Sequence, residues 1–310
     1  MRTLVTGAAG FLGRECIRQL RAEGIETVST DRFGEVDFPG DLSNPEFCAA
    51  LPDVDAVVHN AGVQYLSPDL PLLSRRIYFE RNNVYATALL VQRYSGTSAH
   101  FVYVGTSMMY QVTGGTCYVR TPMRAQGVYS ASKIAAWEQV RALPKPPALM
   151  VPGIIAGPGR GGLFRPFARS IARFGAVIFP GRGTLPVHMV HVEDAAALLV
   201  RIVTRKAAGI FNAGGPEPLS IGQWVDAIAD ELDALRVRRV RLPLAPVEWL
   251  SAASGYRLLA AEQLLLLRYG QVLDVSESLA IDWKPRWNNT QIVRETARAL
   301  LASTEPAPGS

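Results

Sequence analysis

Arg2-Thr-Leu-Val-Thr-Gly-Ala-Ala-Gly-Phe-Leu-Gly13 is the stretch from which the fold is read. Arg2–Thr6 predicts a strand and Leu12–Glu23 a helix, with three glycines at the join. Gly7 permits a tight turn. Gly10 lets a diphosphate approach the backbone where a side chain would collide, and Gly13 lets the helix pack closely on the strand. The free N–H groups and partial positive charge of the helix N-terminus complement phosphate. A glycine triplet at this spacing is weak alone, but here it occupies the strand–turn–helix context that the chemistry requires. Ala9, Phe11 and Leu12 are expected to share in the dinucleotide contacts.

Downstream, predicted strands at Thr27–Thr30, Ala56–His59, Phe101–Val104 and Leu149–Val151 alternate with helices at Val84–Tyr94 and Tyr129–Leu143. Strands and helices at this spacing indicate βαβ units, hence an α/β protein with a Rossmann-type, doubly wound parallel sheet over residues 1–160. After Gly157 the texture changes. A Gly/Pro-rich loop (Gly157–Gly162) leads to an amphipathic helix at Leu163–Phe174. A strand at Met189–Val192, a helix at Ala195–Thr204 and a strand at Ile210–Asn212 read as a return of residues 189–213 to the first domain. Residues 161–188 and 214–310 are expected to form a smaller, mixed α/β C-terminal substrate domain. Its helices are predicted at Gln223–Leu232, Ala260–Tyr269 and Gln291–Leu301, and the tail at 303–310 is expected to fray.

Composition narrows the function. Of 310 residues, 48% are apolar and 19% charged, enough for a large core and incompatible with a disordered chain. No apolar run approaches the roughly 18 residues of a membrane span. A strand beginning at Arg2 leaves no room for a signal peptide, so a cytoplasmic protein is expected. Cys16, Cys48 and Cys117 are odd in number and form no CxxC pair; they read as reduced thiols, with neither disulfide nor metal site. Net charge is +5, and the nearest approach to a basic patch is Arg236, Arg238, Arg239 and Arg241. Their alternation without interleaved aromatics reads as the solvated face of a strand, not a nucleic-acid site.

Three further groups carry chemistry. Asp31 ends the second strand, 24 residues after Gly7, where a carboxylate accepts from both hydroxyls of an adenosine ribose and repels a 2′-phosphate. That favours NAD, although the Arg32 guanidinium keeps NADP open. Asp41 and Leu42 either hold the adenine edge or cap a helix. Tyr129-Ser-Ala-Ser-Lys133 puts a phenol and an amine on one helix face. An ammonium 4–5 Å away at an effective dielectric of about 20 favours phenolate by roughly 3–4 kcal/mol, which would bring a phenol near working pH. Thr106 follows the strand Phe101–Val104, at the sheet edge where ligands sit, and its hydroxyl can orient a reacting oxygen.

These residues resemble the extended short-chain dehydrogenase/reductase family, in its NAD-dependent epimerase/dehydratase group. Further marks are His59-Asn-Ala-Gly62, Asn83-Val-Tyr-Ala-Thr87, Pro152-Gly-Ile-Ile-Ala-Gly-Pro158, His191-Val-Glu-Asp194 and Phe211-Asn-Ala-Gly214. The resemblance implies Tyr129 as general acid or base, Lys133 as its tuner and ribose holder, and Thr106 as hydrogen-bond partner of the reacting oxygen. It also implies cofactor contacts from Asn60, Ala61, Gly62, Asn83, Pro152, Ile154 and Ile155, and a homodimer. His59 reads as a ligand contact or a satisfied strand-end histidine. Ser107-Met108 stand where dehydratases carry Asp-Glu, which argues against sugar dehydration. Ile154 replaces a usual Asn, and Leu185-Pro-Val-His-Met189 lacks the Arg that clamps a nucleotide diphosphate. Ser107, Met108, Phe164 and Arg182 are the candidate substrate contacts, with Arg165 and Arg169 as alternative clamps; alternatively, Ile154, Phe164 and Phe167 line a pocket for a less charged substrate. The leading expectation is an NAD(P)-dependent oxidoreductase acting at a secondary alcohol or ketone of a sugar-like molecule or small secondary metabolite. The alternatives are a nucleotide-sugar epimerase with tightly held NAD and a non-catalytic dinucleotide-binding regulator.

Overall fold

A computed structural model describes residues 1–65, 67, 69–160, 164–234, 236–257 and 259–302. The expected frayed tail, and residues 161–163 at the join of the Gly/Pro loop and the following helix, lie outside the described residues. Seven strands form one parallel sheet: β1 (Arg2–Thr6), β2 (Glu26–Asp31), β3 (Phe38–Pro39), β4 (Ala56–His59), β5 (His100–Val104), β6 (Ala148–Pro152) and β7 (Gly209–Ala213). Their spatial order is β7-β6-β5-β4-β1-β2-β3. The winding reverses between β1 and β4, the position at which a doubly wound sheet opens a ligand crevice at its strands' carboxyl ends.

The larger helices are α1 (Phe11–Ala22), α2 (Ala86–Tyr94), α3 (Val128–Arg141), α4 (Phe164–Phe174), α5 (Val192–Arg205), α6 (Ile221–Glu231), α7 (Ala261–Tyr269) and α8 (Asn289–Ala302). Alternate strand residues supply the two faces of the sheet. Val5, Val58, Val104 and Met150 pack with Leu12, Leu20, Leu199 and Ile202 of α1 and α5. Leu4, Val57, Tyr103 and Leu149 pack with Leu90, Trp137 and Val140 of α2 and α3. A third cluster joins Phe164, Phe179, Trp224, Ile228, Ile292 and Val293 beyond the sheet's carboxyl edge. The segment 189–213 delivers α5 to the sheet face and β7 to its edge, where Gly209–Ala213 pairs with Ala148–Pro152.

Several elements differ from the sequence expectation. The helix predicted from Val84 is the end of a longer run: a turn of α-helix at Arg75–Phe79, a π-helical stretch at Glu80–Tyr85, then α2. Strands at Ile154–Ala156 and Ala176–Pro180 and a helix at Leu244–Ala253 are additional. The basic run forms the strand Arg238–Leu242, parallel to Ala176–Pro180, with Arg238, Arg239 and Arg241 exposed. All three cysteines are buried and free; burial pushes Cys16 up to about 12 and Cys48 up to about 11. Among the described residues no helix is long and apolar enough to cross a membrane, and no cluster of His, Cys, Asp and Glu is placed to hold a metal.

Candidate active site

A cavity of about 540 Å³ runs along the carboxyl ends of β2, β1, β4, β5 and β6 and on beneath α4, α6 and α7. Gly7 opens it. Its φ is +63°, and a Cβ there would stand 2.8 Å from the backbone of Ala61, so neither the turn nor the contact with the chain after β4 tolerates a side chain. Gly13 does not line the cavity; a Cβ there would lie 2.1 Å from the Gly7 carbonyl, so it serves the packing of α1 against the turn. Gly10 is the N-cap of α1, and no side chain caps that helix. Its leading N–H groups are thus available to an anion in the cavity, which Gly10, Phe11 and Leu12 line.

Asp31 lines the cavity at the end of β2. One carboxylate oxygen accepts from the N–H of Ala9 (3.0 Å) and the other from that of Arg32 (2.7 Å). Ala9 itself does not line the cavity; it orients Asp31. The Arg32 guanidinium is engaged with Asn82 and Asp69. Asp41 and Leu42 line the same end. Asp41 accepts from the N–H of Ser43, and the helix cap nearby is Asn44, so the capping alternative for Asp41 is removed. Asn60, Ala61 and Gly62 form the opposite lip.

At the other end stand Thr106, Ser107, Met108, Tyr129, Lys133 and Arg160. Thr106 follows β5 and caps a short 3-10 turn, accepting from the N–H of Met108. Lys133 is 5% exposed; its Nζ donates to the Val104 carbonyl (2.7 Å) and lies 4.5 Å from the Tyr103 ring centroid. The i, i+4 spacing of Tyr129 and Lys133 predicts that the amine draws the phenol down. Burial instead dominates and pushes Tyr129 up to about 12, the Glu262 carboxylate acting the same way, while the Arg160 guanidinium and a hydrogen bond with Thr106 pull downward. Burial also holds Lys133 down to about 7, which removes much of the charge that would draw the phenol down.

Asn83 does not line the cavity. From the π-helical stretch its amide accepts from the N–H of Val63 (2.8 Å) and donates to the Val63 carbonyl and Ser132 Oγ, fastening the lip after β4 to α3. His59 is fully satisfied. Thr87 gives its proton to the Asn83 carbonyl, so His59 Nε2 donates to Thr87 and Nδ1 accepts from Thr6. Burial holds this imidazole down to about 3, neutral at any working pH. In the His191-Val-Glu-Asp194 motif, the buried Asp194 accepts from the N–H groups of Arg286 and Trp287 and so ties the C-terminal segment to α5.

Pro152, Ile154, Ile155 and Phe164 line the cavity, but Arg182 does not: it is exposed, as are Arg165 and Arg169 on the outer face of α4. The one guanidinium at the reactive end, among the described residues, is Arg160. It donates to Gln64 (3.2 Å) and lies 5.6 Å from the Phe11 ring centroid. Its only sequence signal was its place in the loop after Pro152–Pro158. Two further residues, Glu262 and Tyr65, carry no motif in the sequence. Glu262, 1% exposed, accepts from the Ser130 N–H (2.9 Å) and from the Tyr65 hydroxyl (2.8 Å). Tyr65 in turn accepts from the Tyr129 N–H (3.3 Å) and sets its ring edge-on to that of Tyr129.

The glycine cradle, the uncapped helix and Asp31 together fit a dinucleotide whose far end reaches Thr106, Tyr129 and Lys133. The model of the NAD dependent epimerase/dehydratase family matches residues 3–214. This chain belongs to that family. Among curated proteins it is 30% identical over 225 residues to a ceramide reductase of Caulobacter vibrioides, a match covering 67% of this chain and 62% of that protein. The fold is shared with solved structures of lower identity. A UDP-glucose 4-epimerase of Thermus thermophilus, in complex with NAD, is 19% identical with a TM-score of 0.75, covering 98% of this chain and all of that one. The human epimerase family protein SDR39U1, with NADPH, is 22% identical with a TM-score of 0.78, covering 96% and 99%.

Proposed function

We propose that this chain is an NAD-dependent oxidoreductase that interconverts a ketone and a secondary alcohol, with Tyr129 as the acid or base. The observation that carries the reading is that Tyr129, Thr106 and Lys133 line the same cavity as the glycine turn and Asp31. The free N–H groups of α1 would hold the diphosphate, Asp31 the adenosine ribose and Lys133 the second ribose. When bound, the nicotinamide gives or takes the hydride. In reduction Tyr129 donates its proton to the carbonyl oxygen, a task for which a phenol held near 12 is in the right state at neutral pH. Thr106 orients that oxygen by a hydrogen bond. The Caulobacter relative, named a ceramide reductase, supports net redox chemistry.

A second reading, epimerisation of a nucleotide sugar, has Arg160 in its favour, a half-buried guanidinium that lines the cavity and is able to meet a phosphate. Absorbance at 340 nm separates the two. With NADH and a reducible ketone, the oxidoreductase consumes one NADH per alcohol formed. An epimerase converts its substrate with no net change, and that outcome would replace the first reading by the second.

Asp31 should also set the choice of cofactor. A carboxylate facing a 2′-phosphate, with Arg32 already engaged by Asp69, is expected to favour NADH over NADPH. Removing one such repulsion in Asp31→Ser is expected to narrow the ratio of kcat/KM values by about tenfold. An unchanged ratio would remove Asp31 from cofactor selection.

A further inference from the structure

The far end of the cavity differs in chemistry from the end that fits the dinucleotide. It is walled by Phe164 and Phe167 of α4, Phe179 of the strand Ala176–Pro180, Trp224 of α6 and Leu266 and Leu267 of α7. Among the described residues, the charged side chains lining the cavity are Asp31, Arg32, Asp41, Lys133 and Arg160. The first three lie around the carboxyl end of β2, and the last two belong to the reactive end. None stands in the aromatic chamber. Helix α4 makes the contrast sharp: it turns Phe164, Ala168 and Ile171 inward and leaves Arg165, Arg169 and Arg173 exposed. A chamber for a nucleotide diphosphate would need those guanidinium groups on the opposite face, because a buried phosphate without a cation or donors is strongly disfavoured.

We infer that the substrate carries an extended apolar chain next to its reacting carbon, and that this chain lies in the aromatic chamber between α4, α6 and α7. The inference rests on the oxidoreductase reading only for placing the reacting oxygen beside Tyr129. Burial of apolar chain is favourable by a roughly constant amount per methylene, equivalent to about fourfold in affinity for each one added until the chamber is full. A pocket that accepts only a small polar sugar shows no such increment.

The experiment is a homologous series of methyl ketones from 2-butanone to 2-dodecanone. Dissociation constants are measured calorimetrically on the NAD-loaded protein, and turnover separately with NADH. Affinity is expected to rise at least tenfold from 2-butanone to 2-octanone, and UDP-glucose at millimolar concentration is expected not to compete. In Phe167→Asp the dependence on chain length is expected to collapse; Phe167→Ser is the milder change if the charged variant does not fold. A flat series, competition by UDP-glucose, or a length dependence that survives at Phe167 would each overturn the inference, the last because the chain then binds elsewhere. Length-dependent binding without NADH consumption would leave the apolar chamber standing and remove the hydride-transfer reading instead.

Discussion

Tyr129→Phe is expected to lower kcat by about a thousandfold while leaving the dissociation constant for NADH within about twofold. The magnitude is that of losing one positioned proton donor in the transition state. The fold should not suffer. The Tyr129 ring packs edge-on to Tyr65 and tilted against Phe79, at centroid distances of 5.6 and 5.7 Å, and phenylalanine keeps both contacts. The backbone N–H that meets Tyr65 is untouched, so the change in stability should stay within about 1 kcal/mol. The two reaction directions should also differ in pH dependence. A phenol held near 12 is protonated throughout the neutral range, so Tyr129 itself should contribute no step to ketone reduction from about pH 6 to 9, and a step near pH 7 would belong to Lys133. Alcohol oxidation needs the phenolate and should climb by up to about tenfold per pH unit over the same range. Stopped-flow absorbance at 340 nm in both directions measures this. Unchanged turnover in the phenylalanine variant would remove Tyr129 from the chemistry.

How much of this was legible depends on how far apart in the chain the cooperating groups lie. The glycine turn is local: Gly7 to Gly13 define a strand end, a tight turn and a helix start within seven residues, and the parallel sheet follows from the spacing of the apolar runs around it. The alignment of Tyr129 with Lys133 is equally local, since one helical turn sets it. Their protonation was not legible, because burial decides it and burial is a property of the whole packed molecule: Lys133 is enclosed by β5 and α3, and Tyr129 by Tyr65, Phe79 and the carboxylate of α7. Distance before the His191 motif points to Arg182, yet the turn through Gly181 and Gly183, both at positive φ, leaves it exposed, while Arg160, in the loop after Ile154–Ala156, lines the cavity. Ahead of Val84 the apolar pattern misleads, because Ile77 is exposed while Phe79, two residues on, is buried, and the π-helical stretch at Glu80–Tyr85 breaks the 3.6-residue period.

The group least visible from sequence carries the second large expectation. Helix α3 has Gly127 as its N-cap, with no side chain to cap it; Ser130 reaches back to the Gly127 N–H, and the complementary acceptor for the Ser130 N–H is Glu262, 132 residues away. A Cβ at Gly127 would stand 2.1 Å from that carboxylate, so the absent cap and the distant one occupy the same space. Glu262→Ala leaves the Ser130 N–H and the Tyr65 hydroxyl without their acceptor in a buried place, and is expected to destabilise the protein by on the order of 2–4 kcal/mol. Glu262→Gln keeps the volume and one oxygen, so it should fold, yet it removes the negative charge that helps hold the Tyr129 phenol up. Deprotonation of Tyr129 then becomes easier, and the rising limb of alcohol oxidation should move acidward by on the order of one pH unit. Gly127→Ala, which displaces the carboxylate by contact, should move the limb in the same direction. A purely structural cap predicts a lower denaturation midpoint with the pH profile in place; a profile that does not move in Glu262→Gln would confine Glu262 to that role. If the limb shifts as expected, α7 sets both walls of the reaction chamber, Leu266 and Leu267 facing the cavity and Glu262 fixing the helix that presents Tyr129 to it.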